Sequence, residues 1–313
     1  MLSTVIIGVG SYAPPTLLKN EDFLAKGIDT TDEWIRSRTG IRERHITDGS
    51  ESTTDLATNA ARAAIANAGI ETSSIELIVV ATLTPERPMP SAACAIQQRL
   101  GLPGVPAMDV AAACSGFIYG LSVADGLMRA RGYKTVLVIG ADILSSITNW
   151  ADRSTCVLFG DGAGAVILKA SEEEHRGITD IVLGADGNAS ELLTLERGGT
   201  IFMNGKEVFK LAVTVMGNVA QSLLERNQIT KDDLALVIPH QANNRIIEAI
   251  ASKIDVPIER FHVNVERYGN TSAASIPIAL AEAVAAGRLK RNDWLLLVAF
   301  GGGLTWGGAL IRW

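Results

Sequence analysis

Read from end to end, the sequence passes through one succession of patterns twice. In the first pass a helical window (Asp55–Ala68) precedes a β-branched run (Leu77–Ala81), and a second helix (Ala92–Leu100) leads to a strand over Ala107–Val110. A helix over Ser115–Ala130 follows, then a strand at Thr135–Ile139, the run Phe159-Gly-Asp-Gly-Ala-Gly164 and a strand at Ala165–Leu168. In the second pass helix Val208–Arg226 precedes strand Ala235–Ile238, and helix Arg245–Ile254 leads to a strand at Val263–Val265. Helix Ala273–Ala286, strand Leu295–Ala299, the run Phe300-Gly-Gly-Gly303 and strand Ala309–Ile311 complete it. One further strand, Thr4–Ile7, opens the chain. Such alternation marks an α/β fold. Its repeat is far longer than the roughly 20–50 residues of a solenoid. Two similar packed units are predicted, residues 1–172 and 173–313, divided at the polar stretch Glu172-Glu173-Glu174-His175-Arg176.

Composition narrows the class. A chain of 313 residues that is 47% apolar and 20% charged can bury a large core and is not a disordered segment. The net charge of −6 leaves no basic footprint for nucleic acid. No apolar run approaches the ~20 residues that span a bilayer, and Val5-Ile6-Ile7 is too short for the core of a signal peptide. Three scattered cysteines, Cys94, Cys114 and Cys156, argue for a reducing compartment rather than a disulfide scaffold, so a cytoplasmic location is expected. The histidines at 45, 175, 240 and 262 show no metal-ligand spacing with them, and no metal is expected.

Two glycine runs invite a nucleotide reading and fail it. Gly8-Val-Gly10-Ser-Tyr-Ala13 is followed by Pro14-Pro15, which denies the helix start that holds a pyrophosphate. Gly160-Asp-Gly162-Ala-Gly164 leads into a strand, so close backbone packing between the two halves is its expected use.

The duplication also gathers chemistry. Cys114 and Asn270 fall at corresponding places, each after a strand and at the start of a helix, while His240 directly follows strand Ala235–Ile238. Ligand sites of α/β sheets collect at the carboxyl ends of strands, so one cleft can hold all three. A helix start favours a thiolate and is expected to lower the Cys114 pKa. Gly116 lets another group approach the sulfur. The set supplies a soft nucleophile, a ring N–H and an amide donor, suited to attacking a thioester and stabilising an oxyanion or enolate. A papain-like hydrolase has a similar Cys-to-His spacing, but its local cysteine signature is absent.

At these residues the sequence resembles the β-ketoacyl-acyl carrier protein synthase III family, from Thr4 to Trp313. The likeness rests on Thr31-Asp-Glu-Trp-Ile-Arg36, Thr39-Gly-Ile-Arg-Glu-Arg-His45, Pro90-Ser-Ala-Ala-Cys94 and Asp109-Val-Ala-Ala-Ala-Cys114-Ser-Gly-Phe117. It continues through Phe159-Gly-Asp-Gly-Ala-Gly164, Pro239-His-Gln-Ala-Asn243, Gly269-Asn-Thr-Ser-Ala-Ala-Ser275 and Phe300-Gly-Gly-Gly303.

The resemblance implies a thiolase-like αβαβα sandwich of two halves and a decarboxylative condensation of an acyl-coenzyme A, acetyl above all, with malonyl carrier protein. It implies that Cys114 accepts the acyl group, that His240 and Asn270 serve decarboxylation, and that the N–H groups of Cys114 and Gly302 form an oxyanion hole. Trp34 and Arg153 would sandwich the adenine of coenzyme A, Arg38 would pair with its phosphates, Thr30 would lie near the nucleotide, and Gly205 and Asn243 would follow the pantetheine arm. Met89, Phe159 and Phe300 would shape the acyl pocket. The carrier protein would dock on Gln241, Ala242, Asn243, Asn244 and Arg245, with Lys206, Lys210 and Lys253 supplying positive charge against the acidic carrier. Coenzyme A is here a substrate, with no resident cofactor implied, and the family suggests a homodimer. Two departures stand out. The loop around Asn188–Thr200 is short, and Met89 stands where many relatives carry an aromatic. The flexible Met leaves open a related branch that uses medium-chain or branched primers or β-keto acid acceptors. A non-catalytic coenzyme A-binding protein is the alternative from another class.

Overall fold

The computed structural model describes residues 3–313. The first half runs β1 (Ser3–Tyr12), β2 (Leu17–Lys19), α1 (Asn20–Ala25), α2 (Asp32–Thr39), β3 (Glu43–His45), α3 (Thr53–Ala68), β4 (Leu77–Ala81) and α4 (Ala92–Arg99). It continues with β5 (Ala107–Val110), α5 (Gly116–Arg131), β6 (Thr135–Ile143), the single turn α6 (Arg153–Cys156) and β7 (Asp161–Ser171). The second half runs β8 (Gly177–Ala185), β9 (Leu193–Leu195), β10 (Ile201–Met203), α7 (Gly205–Asn227), β11 (Leu234–Pro239) and α8 (Asn244–Lys253). The turn α9 (Val265–Tyr268), α10 (Ser275–Ala285), β12 (Trp294–Gly301) and β13 (Thr305–Arg312) close the chain.

Local chemistry sets the helix ends. Ser52 and Asp55 form a capping box at the start of α3, and Gly69 ends it in the left-handed conformation. Asn204 and Asn243 cap α7 and α8 through their side-chain oxygens.

Alternate strand residues face opposite ways, and this sorts the core into layers. Ile78, Val80, Leu137 and Ile139 face α3 and α4, whereas Leu77, Val79, Val136 and Val138 face α5 and α10. In the second sheet Leu236, Ile238, Leu295 and Leu297 meet that same central helix pair, and Val237, Leu296 and Val298 face α7 and α8. The result is helix, sheet, helix, sheet, helix: a five-layer αβαβα sandwich. The first sheet has the order β1-β7-β6-β4-β5 and the second β11-β12-β13-β8. Superposing these orders matches β8 to β1, β13 to β7, β12 to β6 and β11 to β4. The 172/173 division falls in the turn between β7 and β8.

The predicted strand Val263–Val265 does not form. The counterpart of β5 shrinks to one parallel bridge, Val237 to Phe261, and Val265 instead opens α9. A side chain replaces the ladder there. Gln241 Oε1 accepts the N–H groups of Asn264 (2.9 Å) and Val265 (3.3 Å), while its Nε2 donates to the carbonyls of Pro239 and His262. Strand β8 has no counterpart among the predicted elements. It is an edge strand, largely half-exposed, and lacks an uninterrupted apolar run.

The glycine runs serve packing. A Cβ at Gly10 would come within 2.5 Å of α3 backbone, and one at Gly164 within 2.6 Å of the Ile278 nitrogen on α10. Gly160 and Gly162 likewise abut Tyr268 and Ile278, so this run joins the two halves as expected. No described helix is long and apolar enough to cross a membrane.

Candidate active site

Cys114, His240 and Asn270 line one cleft of about 650 Å³ between the halves, with Phe300 and Gly301 beside them. Each is delivered by backbone geometry. Cys114 lies in a 3-10 turn, Ala113–Ser115, that runs into α5, and Ala113 adopts a left-handed φ of 44°. The matching turn, Ser272–Ala274, runs into α10 and also opens on a left-handed residue, Ser272 at 51°. These paired turns align Cys114 with Ala273, not with Asn270, which precedes the second turn by two residues. Such backbone strain, about 1–3 kcal/mol per residue, is characteristic of functional sites.

His240 extends β11 by one residue, its N–H bonding the Val298 carbonyl at 2.8 Å. Its Nδ1 lies 2.7 Å from Ser275 Oγ, the first residue of α10. Burial pushes the His240 pKa down to about 4, so the ring is neutral. With the Ser275 hydroxyl donating to Nδ1, the ring proton sits on Nε2. Asn270 Oδ1 accepts the Ser272 N–H at 2.9 Å, which leaves the amide's own NH₂ as the group to offer.

Cys114 corrects the expected thiolate. It opens to the cleft, but burial around the sulfur pushes the thiol up to about 12, and the nearby Asp142 adds to this. Desolvation therefore outweighs the helix-start field, which is worth up to ~2 kcal/mol. The thiol is protonated at neutral pH. Thr305 fixes the turn: its Oγ1 lies 3.0 Å from the carbonyl oxygens of both Ala112 and Gly302, either of which can accept its one proton, and 2.7 Å from Ser115 Oγ. This brace links the Cys114 turn to the loop holding Gly302. Among the described residues, no backbone acceptor takes the N–H of Cys114 or of Gly302 outside regular helix and strand pairing. Gly301 is the residue packed against Cys114, since a Cβ there would lie 2.7 Å from the Cys114 nitrogen.

The cleft mouth is cationic and aromatic. Trp34, Arg38, Lys206, Phe209, Lys210 and Arg245 line it, with Gly205 and Asn243 between them. The guanidinium groups of Arg38 and Arg153 lie 4.8 and 4.7 Å from the Trp34 ring centroid. Arg153 thus covers the indole itself, held by the Asp29 carbonyl at 2.7 Å, and a base stacked between them must first displace it. Asn243 is engaged at both ends of its amide, donating to the Arg38 carbonyl (3.0 Å) and accepting from the Arg245 N–H (2.8 Å). The short loop after β8 forms the β9–β10 hairpin, whose Leu193 and Met203 make one cleft wall.

Several expected residues fall elsewhere. Gln241 is 1% exposed and fully occupied in replacing the missing strand, so it offers nothing to a docking partner. Lys253 lies along α7 with its stem against Gly217 and its Nζ on the Thr214 carbonyl, turned away from the mouth. Asn244 bonds Glu248, and Ala242 lines the cleft. Phe159 is buried in a small cluster with Leu144 and Ile201, behind Leu158 and Leu193 rather than on the cleft surface. Thr30 is buried, and its hydroxyl lacks a partner. Met89 is 84% exposed and outside the cleft of its own chain, because the proline-flanked loop that carries it has nothing packed over it. Ser115, Ser272, Ser275, Thr305 and Asp142 escaped sequence reasoning. The first four lie within or beside the motifs, where small hydroxyls read as turn residues.

A cysteine thiol, a neutral histidine and an asparagine amide in one cleft of a duplicated αβαβα sandwich mark a thiolase-fold condensing acyltransferase. Two family descriptions match: 3-oxoacyl-[acyl-carrier-protein (ACP)] synthase III over residues 108–187 and its C-terminal part over residues 224–313. The β-ketoacyl-[acyl-carrier-protein] synthase III of Xanthomonas campestris pv. campestris is 52% identical over 320 residues, covering 98% of each chain. That of Roseiflexus castenholzii is 49% identical over 323 residues, covering 98% of this chain and 97% of its own. The crystal structure of 3-oxoacyl-[acyl-carrier-protein] synthase III from Aquifex aeolicus superposes with a TM-score of 0.97 at 50% identity, covering 99% of this chain and all of that one. The chain belongs to the β-ketoacyl-[acyl-carrier-protein] synthase III family of fatty-acid biosynthesis.

Proposed function

We propose that this enzyme condenses an acetyl group from acetyl-coenzyme A with malonyl carrier protein, in the cytoplasm, through an acyl-cysteine on Cys114. The observation that carries this reading is the single cleft that joins Cys114, His240 and Asn270 at its floor to a cationic, aromatic mouth. In the first half-reaction the Cys114 sulfur attacks the thioester carbonyl, the backbone N–H groups of Cys114 and Gly302 receive the oxyanion, and the coenzyme A sulfur leaves. In the second, malonyl thioester loses carbon dioxide, and the charge that develops on its carbonyl oxygen meets His240 Nε2–H and the Asn270 amide. The resulting carbon nucleophile attacks the acyl-cysteine and gives a β-ketoacyl carrier protein. Phe300, buried on the cleft wall, sets an apolar face against the carboxylate and favours its loss as neutral gas.

At the mouth, Trp34 with Arg153 is proposed to take the adenine and Arg38 the phosphates, with Gly205 and Asn243 along the arm. Arg245, Lys206 and Lys210 face an acidic carrier, although the chain as a whole carries −6, so docking depends on local charge. Coenzyme A enters and leaves as substrate. Met89 can close an acyl pocket only from a second copy of the chain, in keeping with a homodimer.

The roles separate by experiment. His240→Ala and Asn270→Ala should still accept an acetyl group on Cys114, yet release carbon dioxide from malonyl carrier protein about 100–1,000-fold more slowly. Variants that decarboxylate normally but cannot be acylated would reverse the assignment.

A further inference from the structure

Outside the cleft, one carboxylate collects four donors from a single short stretch of chain. Glu282, on α10, accepts at one oxygen from Asn264 Nδ2 (2.8 Å), the Arg267 guanidinium (3.0 Å) and His262 Nε2 (3.2 Å). Its other oxygen accepts the Tyr268 hydroxyl (2.9 Å). Burial alone would raise this carboxyl; the bonds from His262, Asn264 and Tyr268, with the charge of Arg267, hold it down at about 2. The stretch 262–268 runs where the counterpart of β5 is missing, so it has no strand ladder to hold it. Side chains do so instead, Gln241 from the end of β11 and Glu282 from α10.

This stretch delivers Asn270. Tyr268 is followed by Gly269, whose φ of 62° and ψ of −160° lie in a region essentially reserved for glycine. Beyond it the Asn270 N–H bonds the Leu158 carbonyl (2.8 Å), and the Asn270 carbonyl accepts the Gly160 N–H (3.0 Å). That bridge fixes how far Asn270 stands from the first half. The direction of its amide depends also on how the chain enters through the permissive glycine, and so on Tyr268. Tyr268 is gripped twice, its ring stacked on His45 with centroids 5.2 Å apart and its hydroxyl on Glu282. The same helix serves His240. Ser275, which bonds His240 Nδ1, stands two turns before Glu282 on the same face of α10. Ile276, Ala279, Leu280 and Ala283 anchor that helix in the central layer.

We infer that Glu282 is a positioning residue for decarboxylation: by gripping the 262–268 stretch it sets the Asn270 amide against His240, which Ser275 holds from the first turn of the same helix. The inference rests on Asn270 and His240 serving the malonyl half-reaction. Acyl transfer uses the Cys114 turn, which lies outside the grip of Glu282, so the two half-reactions respond differently.

The test compares wild type, Tyr268→Phe, Glu282→Ala, Asn270→Ala and the double variant Tyr268→Phe/Asn270→Ala. Acetyl transfer to Cys114 is followed by intact mass, and carbon dioxide release from malonyl carrier protein is then measured on the acetylated enzymes. Tyr268→Phe removes one hydroxyl and keeps the ring on His45. Acetylation should proceed at the wild-type rate in every variant. The kcat of carbon dioxide release should fall about tenfold in Tyr268→Phe and about 100-fold in Glu282→Ala, with KM for malonyl carrier protein unchanged, because a misplacement of about 1 Å costs about 100-fold. The double variant should be no slower than Asn270→Ala alone, since Tyr268 acts through Asn270. Wild-type release in Tyr268→Phe, equal slowing of both half-reactions, or additive slowing in the double variant would overturn the positioning role. If Glu282→Ala does not fold, Tyr268→Phe and the double variant still decide. Wild-type release in Asn270→Ala by itself would instead remove the role of Asn270, and the positioning with it.

Discussion

Ser275 holds one ring nitrogen of His240, at 2.7 Å, and so fixes the orientation of the imidazole. Residues of this kind were the hardest to read from sequence. Cys114 and His240 announce themselves because each follows a strand, where α/β sheets keep their ligands, and Asn270 because, like them, its side chain carries recognisable chemistry. Ser272 and Ser275 do not, since a serine in a Gly-Asn-Thr-Ser run reads as a turn former until its neighbours across the fold are known. Asp142 is hidden for another reason: it ends an apolar strand, and its partners come from both halves. The Ser275 contact makes a direct prediction. Ser275→Ala should leave acetyl transfer to Cys114 unchanged and slow carbon dioxide release about tenfold, the worth of one hydrogen bond of about 1.4 kcal/mol. Ser275→Thr, which keeps the hydroxyl, should recover most of the rate. Equal slowing of both half-reactions would show that Ser275 only supports the fold.

At the scale of elements, the long helices and central strands were legible because burial on one stripe or both faces imposes a period on the sequence. Strand β4 was predicted to the residue, and the 11-residue β7 was recognised from its apolar centre. Elements whose pairing depends on distant chain were not legible. The counterpart of β5 disappears because Gln241 satisfies the backbone in its place, and β8 gains its partner only when β13 arrives. The glycines between layers carry a prediction. Gly164→Ala would drive a Cβ to 2.6 Å from the Ile278 nitrogen and should cost about 1–3 kcal/mol, read as a lower urea midpoint at unchanged slope. Gly126→Ala, on the exposed side of α5 with nothing within 4 Å, should instead raise the midpoint. Destabilisation by both would mean that the close approach at Gly164 is not what that glycine provides.

For the whole molecule, duplication is the organising fact, and it was visible as a repeated order of elements. The structure adds how the copies diverged. Equivalent strained turns open α5 and α10; the first places Cys114 and the second places Ser272, with Asn270 just before it. Cys114 and the groups around it therefore come from opposite halves and meet only across the shared central layer. The mouth was legible as a set of residues but not as an arrangement. Arg153 covers Trp34, Lys253 lies along α7, Gln241 is buried, and Met89 lies outside the cleft of its own chain. Because the proposed chemistry depends on one sulfur, incubation with acetyl-coenzyme A followed by intact mass and peptide mapping is the decisive measurement. Wild type should gain a single acetyl group on Cys114, His240→Ala and Asn270→Ala should gain it too, and Cys114→Ser should gain none. Acetylation of Cys94 or Cys156 in its place, or an acetylated Cys114→Ser variant, would contradict the assignment of Cys114 as the nucleophile.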